Sequence, residues 1–423
     1  MSNIEHDCHS ITLNVGIDWA DKENVYEIQA EGSKERIRGT VKQTPEDLAE
    51  WVMELKKKIS GGSKIAVALE QSRGSLIYFL QQFDFIILYL INPKSLAKFR
   101  EAFRPSLPKD DPDDSGCLLD MLVHHREKLH AWHPDTTETR KLSAFCELRR
   151  SSVDERTAIV NKMTSFLKYY YPQALSWAGD LTKPMACDFL DKWPTLQAVK
   201  QARPETLRKF YRAHHSTSAK TERRLVEIQK AAANTTDAAI IEPYSLALSN
   251  YVQLVVELNK MIATYDKEIE RLFAQHPDHD LFAVLPGAGP VMAPRLLTAI
   301  GSDRNRYQSA VEIQQYSGIA PITRRSGKSK IVSRRFGRPK FICQSWIEFA
   351  QHSVGFSAWA KAYYSHQRSY MKKGRYAALR SLAYKWIRII FRCWKLNEPY
   401  NEQRYLDSLR KHNSPLVALM KIA

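Results

Sequence analysis

Five residues have the types and spacing for phosphoryl-transfer chemistry. Asp18 closes an apolar run in ITLNVGIDWADKENV, and Glu70 closes another in SKIAVALEQSRG. Asp111 and Asp114 stand three apart in LPKDDPDDSGCLLDML. In open α/β sheets, ligand sites form where strands end. Carboxylates gathered there repel one another, and a divalent cation offsets the repulsion. Hard oxygen ligands suit Mg2+ or Mn2+, and two such ions ~3.5–4 Å apart can clamp the attacking and leaving oxygens of a displacement. The expected metal-ligand set is Asp18, Glu70, Asp111 and Asp114. Plainer roles compete: an Asp after a strand often caps a turn, and Asp114 can N-cap the helix that follows. Asp110 and Asp113 are the register alternatives.

The fifth residue is Ser326, in PITRRSGKSKIVSRRFGRPK (321–340). That stretch holds Arg324, Arg325, Lys328, Lys330, Arg334, Arg335, Arg338 and Lys340 and no acid. A serine hydroxyl is a weak nucleophile until a base or metal removes its proton. No neighbouring His or acid can do so here. The basic residues would hold a phosphate and stabilise charge on it. By itself Ser-Gly is a common turn pair, and Ser329 and Ser333 share the segment.

The elements that must position these residues fall into three regions. Residues 1–134 read as an α/β domain. ITLNVGI (11–17), NVYEIQA (24–30), SKIAVALE (63–70) and FIILYLI (85–91) are expected strands, the last buried on both faces. Helices are expected over 45–59 (Thr44 and Pro45 as N-cap and N1), 75–83, 95–103 and 115–131. Residues 135–280 read as helical, with one long helix over 136–172 and shorter ones broken at Pro184, Pro194 and Pro204. Leu248, Tyr251, Val255, Leu258, Ile262, Tyr265, Ile269 and Leu272 then repeat in steps of three and four. That is a coiled-coil seam, and it predicts self-association or a long helix packed within its own domain. Residues 281–423 form a basic, mainly helical domain. In it LPGAGPVMAPRLL is a glycine turn into a helix, a place where backbone N–H groups can meet phosphate.

The net charge is +17, and its distribution is uneven. From residue 301 onward there are 24 Lys and Arg against 6 Asp and Glu, so the excess lies wholly in the last third. Such a concentration, interleaved with Tyr363, Tyr364, Tyr370, Tyr376, Tyr384, Trp386 and Trp394, points to a polyanion partner. Lys372, Lys373 and Arg375 join the loop cations as candidate nucleic-acid contacts. No apolar run reaches the ~20 residues that span a bilayer, so no membrane partner is expected. The six cysteines are scattered without a CxxC pair, and no secretion signal is evident. A reducing cytoplasm is the expected compartment.

The motifs resemble a known family. GIDWADKENV, the Glu of VALEQSRG, INPKSLAKFR and KDDPDDSGCLL resemble the RuvC-like (RNase H-like) DEDD domain of the IS-one-ten (110) insertion-sequence family, which Piv-type DNA invertases share. LFAVLPGAGPVMAPRLLTAIGSDRNRYQSAVEIQQYSGIAPITRRSGKSK, RRFGRPKFICQSWIEFA and YYSHQRSYMKKGRYAALRSLAYKWI resemble its C-terminal transposase domain. The resemblance implies that Asp18, Glu70, Asp111 and Asp114 are the acidic ligands and Ser326 the nucleophile. This chain departs from the family at Lys109-Asp110-Asp111, where Thr or Ser usually precedes the acid, and at Pro112. A DNA recombinase of a bacterial or archaeal mobile element is implied, associated with the nucleoid. So are a covalent phosphoserine, Mg2+, a bridge RNA that pairs with donor and target DNA, and a dimer or tetramer in which protomers share sites. A water-using RuvC-type nuclease is the alternative.

Overall fold

The computed structural model describes residues 11–70, 74–103, 114–327 and 329–420. They form two compact units, Met1–Asp135 and Thr136–Ala423.

The first unit is built on a six-stranded sheet. Its strands are β1 (Ile11–Asp18), β2 (Glu23–Ala30), β3 (Arg36–Lys42), β4 (Lys64–Leu69), β5 (Ile86–Leu90) and β6 (Ala131–Trp132), in the order β3-β2-β1-β4-β5-β6. β1, β2 and β3 form an antiparallel meander, whereas β1, β4 and β5 run parallel. The sequence reading omits β3 and β6. β3 (RIRGTVK) has Ile37, Gly39 and Val41 on one face, but Gly39 interrupts that apolar face and only Val41 is buried, so its strand signal is weak.

Helix α1 (Pro45–Lys57) starts where expected, with the Thr44 hydroxyl accepting from the Asp47 N–H and Pro45 in its first turn. α1 and the short α2 (Ser75–Leu80) cover the sheet face bearing Leu13, Val15, Ile17, Val67 and Leu69. α3 (Pro93–Phe103) and α4 (Asp114–His125) cover the other face, which carries Ala66 and Ala68. Period-two alternation puts Gly16 and Asp18 on that second face, with Ala66, Ala68 and Glu70 beside them. On this face β1 and β4 present the small residues Gly16, Ala66 and Ala68 to α4, and this lets the helix lie close.

Gly16 shows how close. A Cβ there would overlap the Ser115 carbonyl oxygen and stand 2.5 Å from the Leu119 nitrogen. Only glycine lets the first turn of α4 rest on β1.

In the second unit, α5 (Thr137–Tyr170) is the expected long helix, capped by the Thr136 hydroxyl. Helices between residues 174 and 230 follow; two of them carry Pro184 and Pro204 in their first turns, as proline's missing N–H favours. α6 (Ala238–Ala274) carries the heptad period, and Leu248, Val255, Leu258, Ile262 and Ile269 are buried. α6 packs along α5 of the same chain, so the seam has an intramolecular partner. Leu246, Leu254 and Met261 remain exposed on it.

The basic segment packs around Trp346, Trp359, Trp386 and Trp394 in a core that also takes in Leu142 and Cys146 of α5 and Ile269 and Phe273 of α6. α7 (Gly289–Ile300) follows the glycine turn. Gly287, at φ +78°, is needed for close packing: a Cβ would lie 2.9 Å from Phe356 and 3.0 Å from the His352 backbone. An antiparallel hairpin follows, β7 (Ile322–Ser326) and β8 (Ser329–Ser333), then α8 (Lys340–Ser353) and α9 (Arg375–Leu396). The aromatics of this segment divide sharply. Trp386 and Trp394 are core residues with no surface, whereas Tyr370, stacked on His366, and Tyr376, beside Arg375, are exposed. Among the described residues no helix is long and apolar enough to cross a membrane.

Candidate functional site

Two sets of residues stand out, one in each unit. In the first, β1 and β4 are parallel neighbours with Ile17 opposite Leu69. Asp18 and Glu70 follow as the next residues of the two strands, side by side on the α4 face. Asp114 opens α4 next to Ser115, whose carbonyl rests against Gly16. The ends of two central strands and a helix start thus converge on three carboxylates. The Arg100 guanidinium, from α3, reaches Asp114 Oδ1 at 2.7 Å. The sequence reading gave Arg100 no role, although it ends the INPKSLAKFR motif.

The carboxylates interact strongly. Burial pushes the Asp18 carboxyl up to about 6, reinforced by the negative charges of Asp114 and Glu70, with Arg100 opposing. Glu70 is raised by burial and by Asp114, again with Arg100 opposing. Mutual repulsion of half-buried acids is what a bound cation relieves, and an all-oxygen donor set suits a hard divalent ion. Among the described residues no group of three or more His, Cys, Asp and Glu closes into a metal cage. Asp111, with Asp110 and Asp113, lies outside the described residues. A surface pocket of about 280 Å³ beside Lys64, Asp84 and Trp132 sits at the opposite, N-terminal ends of β4 and β5 and is unrelated to the acids.

The sign of the Asp18 shift gives a prediction. A folded-state value above the unfolded one means that protonation favours the fold. The contribution is full below pH ~3.8 and is lost as pH rises through about 6. At pH 7.5 the metal-free protein therefore carries a strained carboxylate. Asp18→Asn is expected to stabilise it by roughly 1–2 kcal/mol, allowing for solvent screening of a partly exposed group. Differential scanning fluorimetry checks this. The gain in unfolding midpoint should shrink toward pH 4, and Mg2+ should raise the midpoint of the wild type but not of the variant.

In the second unit, Ser326 is the last residue of β7 and pairs with Ser329. Gly327, at φ +54°, begins the turn between them, a conformation glycine adopts without strain. Lys328 lies outside the described residues. Ser326, Arg324, Arg325, Ser329 and Lys330 are all exposed. The register sorts the basic residues. Arg324 and Ile331 share the face of Ser326 and Ser329, whereas Arg325 and Lys330 point to the other face. One cation of β7 can therefore meet the same phosphate as Ser326. Arg324→Ala is expected to slow any Ser326-dependent step by at least ~10-fold at saturating DNA, and Arg325→Ala by less than ~3-fold. Single-turnover rates check this.

The remaining basic candidates differ in freedom. Arg334 and Lys340 are exposed, and Arg334 lies over the Phe336 ring at 4.5 Å. Arg338 donates from Nε to Cys343 Sγ at 3.0 Å and also to the Arg335 carbonyl. Lys373 is tethered to Gln367 at 2.6 Å and Ser381 at 3.1 Å, and Arg375 donates to Gln351 at 3.0 Å. Lys372 is exposed and lies at φ +50°.

A mixed-sheet unit with strand-end acids, followed by a basic helical unit, is the architecture of a DNA-transposing enzyme once comparison with known proteins is added. Residues 15–172 match a transposase family model of the DEDD IS110 type, and residues 279–365 match the transposase IS116/IS110/IS902 family; together they span more than half the chain. The chain belongs to the IS110/IS116 family of insertion-sequence transposases. It is similar to the mini-circle putative transposase for IS117 of Streptomyces coelicolor, with 28% identity over 93% of this chain and 97% of that protein. The IS900 uncharacterized 42 kDa protein of Mycobacterium paratuberculosis is 25% identical over 64% of this chain and 68% of its own length. Putative transposase y4uE of Sinorhizobium fredii is 27% identical over 47% and 56%.

Proposed function

We propose that this transposase cuts and rejoins donor and target DNA through a covalent phosphoserine on Ser326, guided by an RNA encoded by its element. The observation that carries the reading is the hairpin. A serine stands exposed at a tight turn with Arg324 on its own face and no carboxylate in the loop. Such a placement suits attack on a phosphate rather than packing.

The step balances without an outside energy source. Ser326 Oγ loses its proton and bonds to phosphorus, one phosphorus–oxygen bond of the strand breaks, and the leaving sugar hydroxyl takes a proton. The phosphodiester energy is kept, and a hydroxyl from the partner strand reverses the step to rejoin. No GxxxxGK[ST] nucleotide-binding motif occurs, in keeping with an ATP-free reaction. Asp18, Glu70 and Asp114, with Asp111, would hold Mg2+ or Mn2+, which when bound supplies Lewis acidity for phosphoryl transfer. Arg324 would stabilise charge on the phosphoryl oxygens. The RuvC-like reading of the first unit rests on the meander joined to parallel β4 and β5, with acids at the ends of β1 and β4. Assembly of two or four copies, needed to hold two DNA molecules, is supported by Leu254 and Met261, exposed one heptad apart on α6.

A water-using nuclease is the second reading, because three of the four acids meet within one unit without Ser326. Recombination between two plasmids carrying donor and target sites tests the proposal. Protein, RNA and Mg2+ should all be required for joined product. Product without RNA would remove the guide from the reading, and cleavage that never leads to joining would favour the nuclease.

A further inference from the structure

Several arginines of the second unit that are removed from solvent pair with carboxylates. Arg295 meets Glu348 at 2.5 Å, Arg304 meets Asp278 at 2.5 Å, and Arg149 pairs with Asp266. At the base of the serine hairpin four arginines gather without a carboxylate among the described residues. Arg334, which is exposed, continues directly from β8. Arg338 lays its stem over Gly318, where a Cβ would come within 2.7 Å of it. Arg380, on α9, is half-buried, and among the described residues its one hydrogen bond is a long 3.5 Å contact to the Gly318 carbonyl. Its guanidinium is held below the usual arginine range by burial and by repulsion from Arg338 and Arg334. Arg335 Nε is buried and has no partner among the described residues. Among those residues no carboxylate pairs with any of the four.

Of these, Arg335, Arg338 and Arg380 are partly desolvated, and crowded guanidiniums without an acid are costly to the free protein. Their forked donors fit phosphate oxygens two at a time. We infer that Arg380, with Arg334 and Arg338, is a phosphodiester-backbone site for the DNA strand that Ser326 attacks. The inference rests on the reading of Ser326 given above. Position then sets which phosphate is held. The hairpin base lies four to five strand residues from Ser326, about 13–17 Å at ~3.3 Å per residue. In duplex DNA, at ~3.4 Å per nucleotide, that is about four to five nucleotides from the scissile bond. Arg380 is thus a positioning residue, and continuity with the hairpin favours DNA over RNA.

The test is the salt dependence of binding by the full protein with its RNA to element-junction DNA, made in a Ser326→Ala background so that no cutting occurs. Arg380→Gln should lower the slope of log affinity against log salt by about 0.9 and weaken binding about 5- to 10-fold at 0.15 M salt. Arg380→Lys should keep the slope with an intermediate affinity. Arg380→Gln should also raise the unfolding midpoint of the free protein, because an unpaired buried charge is gone; a merely structural arginine would lower it. A neutral methylphosphonate placed four or five nucleotides from the cut should reproduce the loss in the arginine form and have little further effect in Arg380→Gln. An unchanged DNA slope overturns the inference, as does a reduced slope for RNA in place of DNA. A Ser326 that proves not to be the nucleophile would leave the slope result intact and would move only the nucleotide assignment.

Discussion

Ser326→Ala is expected to reduce strand joining by at least ~10³-fold, without changing the fold or DNA affinity. The hydroxyl is exposed and makes no side-chain hydrogen bond to the described residues, so its removal leaves no cavity and no orphaned partner. Stability should stay within ~0.5 kcal/mol of wild type. Ser329 is the control, because it sits directly across the turn on the same face. Ser329→Ala should keep most of the activity. Rates of product formation under single-turnover conditions, with binding measured in parallel, check both. A Ser326→Ala protein that still joins strands at a tenth of the wild-type rate would place the chemistry elsewhere.

Gly16→Ala is expected to have the next largest effect, from a buried position beneath α4. The added methyl would meet the Ser115 carbonyl and the Leu119 amide, both backbone atoms in the first turns of α4. Neither can rotate away, so α4 must move. Asp114 heads that helix, so it would be drawn from Asp18 and Glu70. A displacement of ~1 Å commonly costs ~10²-fold in rate, and overpacking adds roughly 1–3 kcal/mol of destabilisation. Two readouts separate misplacement from unfolding. In a protein folded by circular dichroism, Mg2+ should no longer raise the unfolding midpoint, and joining should fall by about 100-fold. A folded Gly16→Ala protein with a normal Mg2+ response would contradict this account of how the acids are brought together.

Much of this was legible in the sequence because it is local. Asp18 and Glu70 end strands whose apolar alternation marks them, and Thr44-Pro45 announces α1. The heptad steps on α6 identify a helix, since the period belongs to the chain itself. What covers that period does not: α5 packs along it from more than a hundred positions earlier. β3 escaped because Gly39 breaks its short apolar face between Ile37 and Val41. Gly16 was visible as a residue but not as a contact, because its purpose lies in a helix about a hundred positions away. The small residues Ala66 and Ala68 beside it were the available signal. Arg100 and Arg380 were lost among many basic residues. Only the fold shows that one faces the acids and that the other lacks a carboxylate among the described residues. The aromatics misled for the same reason, since composition cannot separate the buried Trp386 from the exposed Tyr370.

The central claim is that Ser326 becomes covalently attached to DNA, and trapping that link tests it most directly. Labelled element-junction DNA would be incubated with the protein, its RNA and Mg2+, then run on a denaturing gel. The account predicts label migrating with wild-type protein and absent with Ser326→Ala, with Asp18→Asn and after chelation. Peptide mass spectrometry should place the nucleotide on Ser326. Cleaved DNA with no protein-bound label, persisting in Ser326→Ala and lost in Asp18→Asn, would contradict it and leave a metal-dependent nuclease that uses water.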